Sequence, residues 1–391
     1  MQKLWDFSFK YLFSDKTNLF YDHITELSEK SLEKTLPSIE EINSHRPNPN
    51  GWSTGMEDSV LTGGLMLDAA MIKAKLDPSE KALEQIKLIY KGLMLCANVS
   101  SDKGFVARSV SPFDQKSHYI NSSRDQYTHL IFSLTNYYFS SYSSESEKEE
   151  IRNVFANIAL RLERTLTEEN GYEFPREDGK TGLCQKMWGE LGKHEYLRLP
   201  MFYLAAYKTC DNEHFYELYL KYRDEALEKT EGIEFKDFGH AYPILQMQYS
   251  LKYIFDHDND EKVKQRAEKI INDAAEHFCK YAKDMYAHLL NSKETINYRY
   301  LRWDKAPYVC MGVFGDIPYN NHNQDINPEN KAYYIFRNIG DAVTICSLSG
   351  VYNEELIEII KSSADLINPN DHYSNAPLYL LGGYYSMLDL K

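Results

Sequence analysis

Six apolar segments alternate with charged ones along the chain, and this alternation limits the fold more than any other feature. The apolar segments occupy 59–71, 127–139, 198–210, 242–255, 342–350 and 377–388. Charged segments at 80–95, 147–166, 213–229, 261–278 and 353–367 run between them. A helix that is apolar all round must be buried, whereas one with a charged stripe shows a face to water. The charged stretch 17–36 (TNLFYDHITELSEKSLEKTL) reads as a twelfth helix, also of the outer kind. Inner and outer helices alternating in this way predict an all-α fold, an (α/α)6 toroid of six helical hairpins with the even-numbered helices inside. Nothing in the 391 residues resembles a Pro/Gly/Ser-rich linker or a low-complexity tract, so residues 1–391 are expected to form a single domain. Alternating β-branched runs are scarce, and little sheet is expected.

The turns that follow the inner helices are short and carry capping residues, as in Asp77-Pro78-Ser79-Glu80, Ser144–Glu147 and Asn353. The connections after the outer helices are long: about 37–56, 97–122, 167–195, 230–239, 292–331 and 368–376. In an up-down ring every second connection lies on one face. The long loops therefore gather at one mouth, where the inner helices begin and their N-termini present partial positive charge. Binding residues concentrate on long loops held by a rigid scaffold.

The densest chemistry is in 104–129. That segment places Arg108, His118, Tyr119, Arg124, Asp125 and Gln126 near the start of one inner helix. Ser122-x-x-Asp125 has capping-box spacing, which would account for Asp125 but not for its neighbours. Thr54-x-x-Glu57 has the same spacing and makes Glu57 a structural residue, while Asp58 is left without such a duty. The third long loop adds Glu177, Trp188, His194 and Arg198; the fourth adds His240; the fifth adds Arg299, Arg302 and Trp303. Convergent polar and aromatic groups at a barrel mouth mark a binding site. Asp58, Arg108, His118, Arg124, Asp125, Trp188, His240 and Trp303 are expected to line one cavity.

The net charge of −14, from 44 basic and 58 acidic residues, argues against nucleic acid and anionic membrane surfaces as partners. The six cysteines form no CxxC pair, so no zinc site or disulfide framework is read from the sequence. No metal or other cofactor is expected. No segment reaches membrane-spanning length, and no secretory signal precedes MQKLWDF. The 31 tyrosines mostly suit wide helix–helix gaps, though aromatic faces also stack on sugar rings.

The blocks NGWSTGMEDSVLTGG (50–64), GFVARSVSP (104–112), SHYINSSRDQYTH (117–129) and RLPMFYLAAY (198–207), with the helical alternation, resemble the six-hairpin glycosidase-like proteins of carbohydrate-degrading bacteria. Within these they look like a glycoside-hydrolase-like branch related to uronate-acting enzymes. The resemblance implies an oligosaccharide or polysaccharide fragment as partner, a sugar site at the inner-helix N-termini, and a periplasmic or extracellular setting. Three functions stay open. A glycoside hydrolase would use Asp125 and Asp58 as its carboxyl pair, with Glu177 in reserve. Arg108 and Arg124 would then hold a substrate carboxylate, and Tyr119, Gln126, Trp188, His194, Arg198, Arg299 and Trp303 would form the rest of the sugar site. A uronate lyase would use His118, His240 or Tyr119 as base. A sugar-binding protein would need no catalytic pair.

Overall fold

The computed structural model describes residues 1–291, 301–305, 308–314, 317–322 and 331–391, and for 183–185, 308–314, 317–322, 331 and 332 the backbone alone. Three short helices come first: α1 (Gln2–Phe7), α2 (Ser31–Thr35) and α3 (Ile39–Asn43). Eleven longer helices follow. They are α4 (Ser59–Leu76), α5 (Glu80–Asn98), α6 (Arg124–Phe139), α7 (Glu145–Thr165), α8 (Arg198–Cys210), α9 (Glu213–Thr230), α10 (Tyr242–His257), α11 (Glu261–Asn291), α12 (Lys331–Ser347), α13 (Glu354–Leu366) and α14 (Ala376–Leu388). Strands occur only as three isolated antiparallel pairs among the described residues: β1 (Phe13–Ser14) with β2 (Leu19–Phe20), β3 (Glu173–Pro175) with β4 (Thr181–Lys186), and β5 (Tyr308–Phe314) with β6 (Ile317–His322).

The inner ring runs α4, α6, α8, α10, α12, α14, and α14 packs back on α4 to close it. Helices α5, α7, α9, α11 and α13 lie outside, each against the inner helix next to it. The fold is therefore the all-α (α/α)6 toroid. Burial separates the two rings. In α14 every residue from Ala376 to Gly383 is buried, whereas the 31-residue α11 buries a single stripe from Val263 to Leu289. Close approach within the inner ring depends on glycine. A Cβ on Gly340 of α12 would lie 2.3 Å from the Tyr379 carbonyl oxygen of α14, and one on Gly383 would lie 2.6 Å from the Gly340 carbonyl oxygen.

The sixth outer position departs from expectation. Residues 17–36 form a loop with β2 and the short α2, not a helix. The position is taken instead by α1 and the π-helical turn Ser8–Leu12 that continues it. Trp5 anchors this segment. Its indole N–H donates to Gln85 Oε1 of α5 at 3.2 Å, and its ring meets Tyr385 of α14 edge-on at 5.6 Å. Burying one tryptophan between two helices secures the short N-terminal turns there, and 17–36 is free to run toward the mouth.

The short turns mostly match their capping signals. Ser144 and Glu147 form a reciprocal capping box on α7, and Asn353 caps α13. At α5 the cap is Ser79, which accepts from the Ala82 amide at 3.2 Å, two residues later than Asp77. The two capping boxes expected at the mouth do not form. Neither Asp58 at the start of α4 nor Ser123 at the start of α6 makes a side-chain cap bond. Asp125 and Glu57 are therefore engaged otherwise.

Candidate active site

The inner helices begin around a cavity of about 680 Å³, lined by Asp58 of the α4 N-cap, Arg124 and Asp125 of α6, Arg198 of α8, Tyr242 of α10 and Arg337 of α12. Trp52, Glu57, Arg108, His194, Glu195 and His240 from the long loops complete the wall. Asp125 and His240 thus share one face of the ring, as the loop alternation requires.

Asp22 organises the floor, and it comes from the segment expected to be helical. Its buried carboxylate accepts from the Glu57 amide at 2.6 Å, the Asp58 amide at 3.0 Å and Asn375 Nδ2 at 2.8 Å. It thereby takes up backbone donors at the start of α4 that a local cap would otherwise satisfy. Asp58 itself faces the cavity. Its Oδ1 accepts from Arg108 Nη2 at 3.0 Å and Gln126 Nε2 at 2.8 Å.

Asp125 is bound to Arg198, whose Nη1 donates to Asp125 Oδ1 at 2.7 Å. Arg198 is only 3% exposed. Burial disfavours the Asp125 charge, but Arg198, Arg124 and Arg108 together hold its carboxyl below the usual carboxylate range. Glu57 is in the opposite condition. Burial is the main cause, the nearby Asp22 and Asp58 carboxylates add to it, and its pKa is raised well above the ordinary value. The Ser53 amide donates to its Oε1. Asp22 is pushed up to about 7, by burial first and then by the Asp58 charge. One cavity therefore holds a carboxyl whose surroundings favour its ionised form, Asp125, and one whose surroundings favour its protonated form, Glu57.

Arg337 was not singled out in the sequence, where it sits before the apolar run 342–350. Its guanidinium lies between the rings of Tyr242 and Tyr379, at 5.0 and 4.6 Å. Its nearest carboxylate oxygens are Asp341 Oδ2 at 3.6 Å and Asp58 Oδ2 at 4.0 Å, both beyond hydrogen-bond length. Asp341 is 1% exposed, and burial raises it to about 7. A buried Arg337 with only loose anionic partners is a ready anion contact.

The structure divides the expected site residues. Asp58, Arg108, Arg124, Asp125, His194, Arg198 and His240 reach the cavity. Within it, Arg124 is committed to Glu195 and to the Lys186 carbonyl at 2.7 Å. His240 stands at the rim, with Asn338 Nδ2 3.4 Å from its Nδ1. His194 lies edge-on to Phe238 at 5.1 Å, and burial lowers its pKa despite Glu195 beside it.

The others lie elsewhere. Gln126 is fully buried one layer beneath the cavity, bridging Asp58 and the Leu61 amide at 3.0 Å. Tyr119 is buried under Gly51 and donates to the Arg46 carbonyl at 2.6 Å, so it is not a free base. His118 is turned away onto Glu177, 3.0 Å from Nε2 to Oε2, and Glu177 is thereby withdrawn as a reserve carboxyl. Trp188, 7% exposed, packs edge-on against Tyr196 and Tyr222 as core. Trp303 lies under the Arg302 guanidinium at 5.6 Å and is not part of the cavity wall. Arg299 lies outside the described residues. The aromatic wall comes instead from Trp52, Tyr242 and Tyr334. Helix periodicity does not reveal which aromatics of a loop turn inward, and the tryptophan inside the block NGWSTGMED was the available signal for Trp52.

Among the described residues no group of three or more His, Cys, Asp or Glu is placed to hold a metal ion, and no helix is long and apolar enough to cross a membrane.

The fold and cavity define a helical toroid with a polar, aromatic-walled mouth. No protein family matches the chain, and no curated protein matches it. Among solved structures it is similar to GH76A α-1,6-mannanase from Salegentibacter sp. HEL1_6, at 12% identity over 100% of this chain and 98% of that one, with a TM-score of 0.46. It is also similar to an inactive variant of that enzyme, with two aspartates changed to asparagine, in complex with α-1,6-mannotriose (11% identity, 100% and 97% covered, TM-score 0.46). A third similar structure is the corresponding alanine variant in complex with α-1,6-mannotetrose (12% identity, 100% and 97% covered, TM-score 0.46).

Proposed function

We propose that the chain is a glycoside hydrolase acting on an oligosaccharide, with Glu57 as proton donor and Asp125 as the ionised partner. The observation that carries this reading is two carboxyls lining one cavity whose surroundings push them in opposite directions, Glu57 toward its protonated form and Asp125 toward its ionised one. Glycoside hydrolysis needs both states at once, an acid for the leaving oxygen and a carboxylate for water or carbon. Glu57 gives its proton to the glycosidic oxygen as the C–O bond breaks. Asp125 takes a proton from the attacking water, or attacks the anomeric carbon directly. Asp58 is the carboxylate that lies against Arg108 and faces the developing positive charge, with Glu57 in place of it as the second member of the carboxyl pair. Trp52 supplies a face for a sugar ring.

A uronic acid in the substrate fits the arginines at the floor. Arg108 and Arg124 already have carboxylate partners, so Arg337 is the better anchor for a substrate carboxylate. His194, whose pKa burial lowers, lies in the same cavity and supports a second reading, a uronate lyase, with His194 or His240 removing the proton next to a carboxylate that the arginines neutralise. The setting implied by the resemblance, periplasmic or extracellular, belongs to this proposal as well.

The test is a panel of neutral and uronate-containing oligosaccharides, followed by reducing-end release and by ultraviolet absorbance. Hydrolysis releases reducing ends without new absorbance, whereas a lyase creates a conjugated double bond that absorbs. Glu57→Gln is expected to lower turnover by roughly 10²–10⁴-fold, the usual contribution of a positioned acid. Turnover that survives in a folded Glu57→Gln protein would remove Glu57 as the donor.

A further inference from the structure

Glu57 and Asp58 stand on a stretch of backbone that no local side chain caps. Thr54, spaced to cap it, gives its hydroxyl to the Gly51 carbonyl instead. The stretch is pinned from two sides by residues distant in sequence. On one side Arg108 Nε donates to the Glu57 carbonyl at 2.7 Å and Arg108 Nη2 to Asp58 Oδ1 at 3.0 Å. On the other, a single oxygen of Asp22, Oδ2, accepts from both the Glu57 and the Asp58 amide, at 2.6 and 3.0 Å. Asp22 is 3% exposed, and its Oδ1 accepts from Asn375 Nδ2 at 2.8 Å. Its main chain joins the same two loops: the Asp22 amide donates to the Gly55 carbonyl at 3.0 Å, and the Asn375 amide donates to the Asp22 carbonyl at 2.8 Å. Asn375 is the N-cap residue of α14. Asp22 therefore lies in the seam where the last inner helix meets the first.

We propose that Asp22 is a positioning residue of the active site: it ties the starts of α4 and α14 together at the mouth and so fixes where Glu57 and Asp58 stand in the cavity. Asp22 is not part of the cavity wall and acts only through the backbone of the residues that are. Its catalytic consequence rests on the hydrolase reading given above. The positioning itself consists of hydrogen bonds and can be measured without a substrate.

A carboxylate suits this position because it only accepts, and three N–H donors converge on it. Bonds from backbone amides to a carboxylate are also stronger than neutral ones. Asparagine would keep much of the arrangement. Its oxygen can accept from both backbone amides, while its nitrogen would face Asn375. Asn375 Oδ1 has no hydrogen-bond partner, so turning the Asn375 amide over brings an acceptor to meet that nitrogen. Alanine offers no acceptor at all and leaves two backbone N–H groups and Asn375 Nδ2 without one. The first turn of α4 is then held by Arg108 alone. A shift of about 1 Å in a reacting group costs roughly 10²-fold in rate, so a loosened Glu57 is felt in kcat.

The test compares the intact wild type with Asp22→Ala, Asp22→Asn and Asn375→Ala. Hydrogen exchange followed by mass spectrometry reads peptides spanning residues 55–61. In Asp22→Ala the amides there should exchange about 10–100-fold faster, the scale of a lost bond to a charged group, while peptides from α11 exchange as in the wild type. In Asp22→Asn they should stay within severalfold of the wild type. Asn375→Ala frees one oxygen of the carboxylate and should raise exchange severalfold, which keeps the test open should Asp22→Ala not fold. Turnover is compared at the pH optimum of each variant, because the Asp22 charge adds to burial in raising the Glu57 pKa. There Asp22→Ala should lose roughly 10²-fold in kcat with KM within severalfold, and Asp22→Asn should recover most of the loss. Unchanged exchange at 55–61 in Asp22→Ala and Asn375→Ala would overturn the proposal. So would an asparagine variant no better than alanine, or a loss confined to KM. A wild type that hydrolyses no oligosaccharide would instead strike the hydrolase reading, and the exchange rates would still decide whether Asp22 holds the two carboxyls in place.

Discussion

Asp125→Asn is the most discriminating single change, because the structure moves its expected effect away from that of a helix cap. As a cap, Asp125 would contribute about 1 kcal/mol. In the structure it makes no cap bond and instead compensates Arg198, a guanidinium 3% exposed. Asparagine keeps an oxygen that can accept from Nη1, so a charge-assisted bond of about 1.5–3 kcal/mol becomes a neutral one of about 0.5–1.5 kcal/mol. The Arg198 charge also loses its partner. Removing one member of a buried pair costs about 3–5 kcal/mol, but the Asp125 side chain is 27% exposed to the mouth and water there moderates the loss. The expected destabilisation is about 1–3 kcal/mol. With an unfolding entropy of about 2.1 cal/mol/K per residue, a chain of 391 residues has its melting temperature lowered by only about 1–4 °C. Turnover should fall by roughly 10²–10⁴-fold.

The assay combines thermal melts and turnover on the same preparations of wild type, Asp125→Asn, Arg198→Met and the double variant. Arg198→Met fills similar space without charge, so the double variant should regain part of the loss and show a coupling of about 1–3 kcal/mol. Because the Asp125 pKa is lowered in the fold, its stabilisation is present above the unfolded carboxyl value of about 3.9 and is lost as pH falls further. The gap between wild type and Asp125→Asn should therefore close below about pH 4. Strict additivity of the two changes, together with a gap independent of pH, would refute the ion-pair account. Near-normal turnover in the folded Asp125→Asn variant would remove Asp125 from the mechanism.

Three further outcomes are expected. Gly340→Ala places a Cβ 2.3 Å from backbone of α14 and should cost at least about 1–3 kcal/mol in thermal melts, because backbone rather than a mobile side chain is in the way; an unchanged melting temperature would contradict the close α12–α14 approach. Trp188→Ala should lose about 3–5 kcal/mol of stability by opening a core cavity, in contrast to a selective rise in KM with normal stability, which would mark Trp188 as a sugar platform after all. Asp341 has a folded value of about 7, above its unfolded one, so its neutral form stabilises the fold at low pH and that stability is lost as pH rises through 7; Asp341→Asn should flatten the melting temperature between about pH 4 and 8, and an unaltered pH profile would show that Asp341 does not titrate there.

The sequence by itself determined the ring. Burial demands on a helix depend on its own composition, so segments such as PLYLLGGYYSML can lie only inside and EKVKQRAEKIINDAAEHF only outside. Alternation of loop lengths then placed the N-termini of the inner helices at one mouth. Asp58, Arg108, Asp125, Arg198 and His240 could be assigned to that mouth because they sit at helix starts or in the loops just before them. What only the tertiary structure decided is how those groups are paired. Arg337 lies more than 200 residues from Asp125 in the chain, and Asp22 more than 30 from Asp58, yet both act at the same floor. Capping-box spacing at Glu57 and Asp125 is a local signal, and it lost to long-range partners, a buried carboxylate at one and an arginine at the other. The direction of a loop side chain depends on what packs against it from distant parts of the chain, which is why His118 turned onto Glu177 and Tyr119 and Trp188 into the core while Trp52 faced the cavity. Protonation, which separates Glu57 from Asp125, depends on burial and on which charges arrive beside each carboxyl, and both exist only once the ring has closed.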